Sequence, residues 1–215
     1  MAALHGDAGD VAAASPSPPH TTTTQILFQR LSPYPKHLAV AHINSQSLRG
    51  HIDEIREVFQ PLNFDIKCVT ESWLKPSIQS KEVAIPGYVL LRNDRTNKIG
   101  GGVGAYIREC FNYKLLFSSP SEYSERPEFI FIEICLTNTD NLLLAICYRP
   151  PKIGHLADFE NALLRLMPGY SRVLIMGDFN TDLLKDKNAH DYRQLTTMFE
   201  SCSLTILPLG PTLHC

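Results

Sequence analysis

The sequence predicts an α/β fold in which two packed, mainly antiparallel β-sheets are flanked by helices, giving a four-layer α/β/β/α sandwich. Three observations predict it. Short apolar runs of strand length recur from His37 onwards, two of them form a clear hairpin, and segments with helical spacing separate others. Because the chain has 215 residues and 44% of them are hydrophobic, it can bury a large core.

The first 36 residues differ in composition from the rest of the chain. Their sequence, which begins MAALHGDAGDVAAASPSPPHTTTTQ, is rich in Ala, Ser, Pro and Thr and poor in large apolar residues. A segment that cannot bury enough apolar surface stays disordered, so residues 1–36 are predicted to be a disordered tail. A single folded domain is expected over residues 37–215.

The first predicted elements are a strand and a helix. HLAVAHIN, residues 37–44, has the composition of a strand that stops at Asn44. Ser47 is then predicted to cap a helix, which Pro61 ends. The apolar residues of this helix recur at helical spacing: Leu48, Ile52, Ile55 and Phe59.

The remaining elements alternate between strand and helix patterns. Further strands are expected at FDIKCVTE, which stops at Glu71, and at YVLLRND, GGVGAYIR and KLLFS. EFIFIEICLTNTDNLLLAICYRPP predicts a hairpin around NTDN, which two prolines close. ADFENALLRLM and HDYRQLTTMFESC predict helices, with the strand RVLIM between them.

The charge and cysteine content limit the classes of partner. The 20 basic and 22 acidic residues give a formal net charge of -2, so any affinity for nucleic acid must come from a local site or a metal ion. No apolar run approaches the ~20 residues that span a bilayer, and no signal peptide is recognisable, so we expect a soluble intracellular protein without a membrane partner. The six cysteines include no CxxC pair, which favours reduced thiols over disulfides or zinc.

Polar side chains stand at the ends of four predicted strands. They are Asn44, Glu71, Tyr148 and the pair Asp178 and Asn180. If the chain stays extended after LIM, Asp178 and Asn180 face the same side while Phe179 turns into the core. Glu71 is a hard oxygen ligand suited to Mg²⁺, and a carboxylate with a carboxamide can orient water and phosphate. The set could support metal-assisted hydrolysis.

Each of these residues also has a structural interpretation. The aspartate of GDFN can cap a turn, Glu71 can be a solvated residue before a loop, Tyr148 can close a core, and Asn44 can be a turn residue. GGGVGAYI lacks the spacing of a phosphate-binding loop and is predicted to be a tight turn that enters a strand. The polar residues of LRNDR either contact a DNA backbone or form a solvated loop.

Six short motifs occur in an order that resembles a known superfamily. HINSQSL, VTESWL, GYVLLRNDR, GGGVGAYIRE, ICYRPP and LIMGDFNTDL resemble the endonuclease/exonuclease/phosphatase superfamily, over residues 37–215. They resemble most closely the apurinic-like endonuclease domain of non-LTR retrotransposons, which nicks target DNA ahead of a reverse transcriptase. This resemblance implies a DNA-nicking phosphodiester hydrolase, a DNA partner, a reverse transcriptase in the full-length element, and a nuclear location.

The resemblance also implies a role for each candidate residue. Glu71 is expected to be the main ligand of Mg²⁺, with Mn²⁺ as an alternative, and Asn44 lies beside the metal and the phosphate. Tyr148 is expected to bond the scissile phosphate, while Asp178 orients or deprotonates the attacking water. Asn180 is expected to stabilise the oxyanion of the transition state.

One family element is missing from this sequence. The family ends with a Ser-Asp-His type element, whereas this sequence ends ILPLGPTLHC, in which His214 stands too early to replace the catalytic histidine. We therefore expect a domain that lacks its last strands, with an unpaired sheet edge and weak or no activity. A phosphomonoesterase of the same superfamily and a non-catalytic retroelement remnant remain the alternative functions.

Overall fold

A computed structural model describes residues 37–59, 61–137, 140–151, 155–183 and 190–207. The predicted disordered tail, residues 1–36, and His214 lie outside these ranges. The described residues contain eight strands: β1 (Val40–Asn44), β2 (Ile66–Thr70), β3 (Tyr88–Asn93), β4 (Val103–Arg108), β5 (Asn112–Ser118), β6 (Glu128–Thr137), β7 (Asp140–Tyr148) and β8 (Arg172–Asp178). Three α-helices are described, α1 (Ile52–Phe59), α2 (Ala157–Leu166) and α3 (His190–Ser201), with short 3-10 helices at Ser80–Val83 and Met167–Gly169.

The strands form two four-stranded sheets, in the orders β1-β2-β4-β3 and β5-β6-β7-β8. The pairs β1–β2 and β7–β8 are parallel, and the other neighbouring pairs are antiparallel. The hairpin predicted around NTDN is present as β6 and β7, whose pairing includes Ile132 with Leu144. The fold class predicted from the sequence is therefore confirmed, with sheets that are mixed and carry helices on their outer faces.

Two apolar clusters follow from the alternation of side chains along the strands. One lies between the sheets and joins inward-facing residues of β2, β4, β6 and β7, among them Cys68, Ala105, Ile132 and Leu144. The other joins the opposite face of β6 and β7 to α2 and α3, which cover the second sheet from outside. Helix α1 covers the first sheet, and its Phe59 ring lies 5.8 Å from the ring of Phe64, just before β2.

The first helix begins later than the sequence predicts. It starts at Ile52, and Ser47 has a φ of +98°, which no helical residue adopts. The Ser47 hydroxyl instead accepts a hydrogen bond from the Gly50 amide at 3.3 Å, so it caps the turn that precedes the helix. Leu48 is buried, but its amide donates to the carbonyl of Ser72 at 2.9 Å, which attaches this turn to the end of β2.

In the described part of the chain, four strands pair with one neighbour only and are edge strands: β1, β3, β5 and β8. The side chains of β1 are half-buried, as are those of β8 after Arg172.

All five cysteines in the described ranges are free, and every helix there is too short or too polar to cross a lipid bilayer.

The first sheet buries a lysine on its outer face. Lys67 in β2 is 0% exposed; its Nζ donates to the Phe64 carbonyl at 3.3 Å and lies 3.2 Å from the centroid of the Tyr88 ring. Burial lowers the pKa of Lys67 to about 7, helped by the Arg108 guanidinium and opposed by the Asp65 carboxylate. A buried ammonium favours its neutral form, so keeping this lysine charged costs stability at neutral pH.

We expect Lys67→Met to raise the free energy of unfolding by about 1–4 kcal/mol near pH 7. The folded pKa lies below the unfolded one, so the wild-type penalty is full below about pH 7 and disappears as the pH rises to about 10. The free energy of unfolding of the wild type should therefore rise with pH over this range, and this rise should be absent in the variant. Urea denaturation at several pH values measures both, with the exposed Lys114→Met as the control; a variant that keeps the wild-type pH dependence contradicts the assignment.

Candidate active site

The carboxyl ends of the two parallel strand pairs meet at one edge of the molecule. Asn44 ends β1, Tyr148 ends β7 and Asp178 ends β8, while Glu71 directly follows β2. Parallel neighbours end at the same edge of a sheet, so each sheet brings two of these side chains together. The structure also joins the two sheets here, since Asn44 of the first contacts Asp178 of the second.

Asn44 is the residue that connects the two acidic groups. Its Nδ2 donates to Glu71 Oε1 at 2.9 Å and to Asp178 Oδ2 at 2.8 Å. One amide nitrogen therefore bridges carboxylates that are separated by more than a hundred residues in sequence. Two like charges held this close favour a cation between or beside them.

Three donors hold the Glu71 carboxylate. Besides Asn44, the indole Nε1 of Trp73 donates to Oε2 at 3.2 Å, and the Tyr148 hydroxyl donates a further hydrogen bond. Burial, followed by the Glu71 carboxylate, raises the pKa of Tyr148 well above its usual range, so the phenol remains a protonated donor. The backbone of Glu71 has a φ of +51°, which turns the chain sharply away from β2.

The chain also turns sharply after Asp178, which corrects the extended arrangement expected from the sequence. Asn180 has a φ of +47°, and its amide donates to Asp178 Oδ1 at 2.9 Å, as in an Asx turn. The side chain of Asn180 donates to the carbonyl of Arg149 at 2.7 Å. Phe179 packs in the outer core against Phe159 and Phe199, at ring distances of 6.1 and 5.6 Å.

Arg149 positions this turn, although it is not among the site residues predicted from the sequence. Its side chain is 2% exposed; Nε donates to the Phe179 carbonyl at 2.7 Å and Nη2 to the Thr181 hydroxyl at 2.5 Å. A buried guanidinium needs several acceptors, and here the turn that carries Asn180 supplies them for Nε and Nη2. The available signal was an arginine placed between an apolar strand and two prolines.

A buried ion pair supports the other side of the site. Arg95 and Glu128 are paired in the interior, and Glu128 Oε2 also accepts a hydrogen bond from the Gly102 amide at 2.6 Å. A Cβ on Gly101 would lie 2.3 Å from the Arg95 guanidinium, so the glycine turn lies directly over it. The same turn binds the segment after Glu71, because the Gly101 carbonyl accepts from the Trp73 amide at 2.9 Å.

The polar residues of LRNDR are therefore structural, and neither expectation for them is met. Asn93 donates to the carbonyl and hydroxyl of Ser119, both at 3.0 Å, and Arg92 pairs with Asp94 at 2.7 Å. Asn93, Asp94 and Arg95 are all buried. A solvated loop or a contact to a DNA backbone would require these groups to be exposed.

His42 lies beneath the site, two residues before Asn44 on β1. Its Nε2 is 3.1 Å from the hydroxyl oxygen of Thr70. Burial lowers the pKa of His42 to about 4, against the opposing effect of the Asp178 carboxylate. The imidazole is therefore neutral and adds no positive charge beside Asp178.

The donor set at this site fits a hard divalent cation. No group of three or more His, Cys, Asp or Glu side chains in the described ranges is placed to hold a metal ion. Mg²⁺ needs only one or two protein carboxylates and keeps several waters, which matches Glu71 with Asp178. Asn44 directs its amide nitrogen at both carboxylates, so it acts here as a donor and would have to present its oxygen to become a ligand.

Comparison with known protein families decides the class of this fold. A model described as the endonuclease/exonuclease/phosphatase family matches residues 40–199, which include all eight strands. The chain belongs to this family. Enzymes of the endonuclease/exonuclease/phosphatase family generally depend on a divalent metal ion, in keeping with the donor set found here. A search among curated proteins found no match.

Solved structures of the family share the fold at low sequence identity. An AP endonuclease from Leishmania major superimposes with a TM-score of 0.57 at 12% identity, over 75% of this chain and 65% of that enzyme. An AP endonuclease from Archaeoglobus fulgidus gives a TM-score of 0.55 at 15% identity, over 77% and 71% of the two chains. A family protein from Leptotrichia buccalis gives 0.57 at 14% identity, over 75% and 74%. The chain thus spans about two thirds of these proteins.

Proposed function

We propose that this domain is a Mg²⁺-dependent phosphodiester hydrolase that nicks DNA, of the type found in non-LTR retrotransposons. The observation that carries the proposal is the amide of Asn44, which joins the carboxylates of Glu71 and Asp178 across the two sheets. Two of the structural neighbours are AP endonucleases, which supports DNA as the substrate class. The retrotransposon type rests on the motif resemblance alone.

Glu71 is the proposed main cation ligand, with Asp178 beside it. A bound divalent cation would neutralise charge on the phosphate and polarise a water, and Mn²⁺ could replace Mg²⁺. The protein contributes rigid placement of Glu71, whose carboxylate Trp73 and Tyr148 hold from two sides. Positioning and electrostatics supply most of the catalysis in phosphoryl chemistry of this kind.

Asp178 is the proposed base or orienting group for the attacking water. Its Oδ1 is fixed by the Asn180 amide and its Oδ2 by Asn44, so the carboxylate has one orientation. Burial lowers the pKa of the neighbouring His42 to about 4, so its neutral imidazole places no positive charge beside the Asp178 carboxylate.

Asn44, Tyr148 and Asn180 are the proposed phosphate contacts. Both N–H groups of Asn44 donate to carboxylates here, so one of them would have to turn to the phosphate. The raised pKa of Tyr148 keeps its hydroxyl protonated, and its single O–H, which donates to Glu71 in the free protein, would turn to a phosphate oxygen when the substrate binds. The carboxamide of Asn180 has two N–H groups, and the bond to the Arg149 carbonyl fixes its direction while leaving one N–H for a developing oxyanion.

The partners follow from the same proposal. DNA is the proposed substrate, and a reverse transcriptase acts on the nicked product in the full-length element. Because the target is DNA, the proposed location is the nucleus. With a net charge of -2, binding must rely on the local site and its cation, so we expect affinity for DNA to be modest and dependent on salt.

A supercoiled-plasmid assay tests the proposal. We expect slow nicking with Mg²⁺ that EDTA abolishes, and a loss of about 10²–10³-fold in Asp178→Asn, which keeps the shape of the side chain but removes the charge. Asp158→Asn, at the exposed ion pair with Arg126, is the matched control and should keep the wild-type rate. Nicking that is absent at high protein concentration, or equal in Asp178→Asn, refutes the proposal and favours a non-catalytic remnant.

A further inference from the structure

Trp73 is presented to solvent in an unusual way. It lies between Ser72 and Leu74, which are buried, yet its own side chain is 38% exposed. Its amide donates to the Gly101 carbonyl at 2.9 Å, and its φ is +53°, a conformation that costs energy in a bulky residue. The backbone is therefore held in a strained conformation, and the indole lies beside the candidate site.

The N–H of this indole has a hydrogen-bond partner within the protein. An exposed tryptophan usually directs its N–H to water and rests its ring on apolar surface. Here Nε1 donates to Glu71 Oε2 at 3.2 Å, so the polar end points into the site and part of the apolar ring is left exposed. A ring held both by its backbone and by its N–H has little rotamer freedom to lose when a flat ligand stacks on it.

The loop beside Trp73 carries an exposed lysine and an exposed apolar residue. A Cβ on Gly100 would lie 3.7 Å from the Trp73 Nε1 atom, so the two segments are in contact. On the same loop, Ile99 is 82% exposed and the exposed Lys98 places its Nζ 4.1 Å from the ring centroid of Tyr123. Aromatic rings beside basic groups are how proteins bind unpaired nucleic acid, because every base has a face that can stack.

We propose that Trp73 stacks an unpaired nucleobase of the strand whose phosphate lies at Glu71 and Asp178, while its N–H holds the Glu71 carboxylate in place. The ligand class rests on the proposed function, since only a nucleic acid substrate brings a base next to that phosphate. Trp73 then links base binding to the cation site. It positions Glu71 and binds the substrate, and it takes no part in bond breaking.

Fluorescence tests the stacking directly, because Trp73 is the only tryptophan among the 215 residues. The full-length protein, with Ca²⁺ in place of Mg²⁺, is titrated with a short single-stranded oligonucleotide and with a base-free oligonucleotide of the same length. Stacking predicts that the normal strand quenches the emission and the base-free strand does not. Equal quenching by both strands, or quenching by neither, overturns the proposal.

Two substitutions separate the roles of the ring and the N–H. Trp73→Phe keeps a ring, so the Kd for a labelled oligonucleotide, measured by anisotropy, should change by no more than about twofold, while the Mg²⁺ concentration that gives half the thermal stabilisation should rise about three- to tenfold. Trp73→Ala should weaken oligonucleotide binding by about tenfold or more. Phe117→Ala, another exposed ring, should change neither value.

The outcomes distinguish this inference from the proposed function. If the plasmid is nicked but Trp73→Ala binds oligonucleotide as the wild type does, the stacking assignment is wrong and the proposed function stands. If the plasmid is not nicked but base-dependent quenching is present, the hydrolase is wrong and the stacking surface stands. An unchanged Mg²⁺ requirement in Trp73→Phe overturns the positioning of Glu71.

Discussion

Glu71→Gln is expected to reduce Mg²⁺-dependent nicking to the level of a buffer control, a loss of at least about 10³-fold. Glutamine has nearly the same shape, and its amide oxygen can still accept from Asn44 or from the Trp73 indole, so the fold should remain intact. The variant lacks the anionic charge that the proposed cation site requires.

The same variant is expected to lose stabilisation by Mg²⁺. Ligand binding to the folded state alone raises stability by about 2.7 kcal/mol at a hundredfold excess over Kd, so the wild type should melt at a higher temperature with Mg²⁺. Differential scanning fluorimetry with and without the ion measures this. Glu54→Gln, an exposed carboxylate on α1, should behave as the wild type does. A Glu71→Gln protein that still gains stability from Mg²⁺ would show that the ion binds elsewhere.

Gly177→Ala is expected to destabilise the fold by about 2–4 kcal/mol and to abolish activity. A Cβ on Gly177 would lie 1.9 Å from the carbonyl oxygen of Cys147, which is a backbone atom of the paired strand and cannot turn aside. Relief requires β8 to move away from β7, and the next pair in the register is Tyr148 with Asp178. The substitution therefore separates two site residues as well as two strands.

Urea denaturation and the plasmid assay measure the two effects together. Gly169→Ala is the matched control, because an added Cβ there meets nothing within 4 Å, and it should change stability by less than about 0.5 kcal/mol. If Gly177→Ala folds with wild-type stability and nicks DNA at the wild-type rate, the close approach of β8 to β7 is not what fixes the geometry of the site.

The strands were predictable because their signals are local. Alternating or continuous apolar runs, bounded by turn residues, marked all eight strands and the hairpin of β6 and β7. The polar residues that end these runs were equally visible. Their meeting point followed from the rule that the ends of parallel strands share one edge of a sheet, and the structure brings Asn44, Glu71 and Asp178 into contact there.

The errors arose where distant parts of the chain determine the local conformation. The segment at Ser47 has helical spacing, but its amide donates to the Glu71 carbonyl at 3.0 Å, and this tertiary bond prevents a helix from starting there. Asn180 would face the same side as Asp178 only if the chain stayed extended, yet Arg149 and Asp178 bind its backbone and hold it in a turn. Neither partner can be inferred from the local pattern.

Buried charges were the second source of error. Charged residues are mostly exposed, so no local pattern places Arg95, Arg149 or Lys67 in the interior. Each is buried because several acceptors or an aromatic ring surround it, and these partners come from elsewhere in the chain. Arg95 and Arg149 flank the site from two sides and hold the turns that carry its functional groups.

The location of the bound cation tests the central claim most directly. Crystals soaked in Mn²⁺ give an anomalous signal that identifies the ion without reference to activity. The proposed site predicts one strong peak at coordination distance, about 2.0–2.2 Å, from carboxylate oxygens of Glu71 or Asp178, and its loss in Glu71→Gln. A strongest peak elsewhere on the molecule, or none at these carboxylates at saturating Mn²⁺, would contradict it.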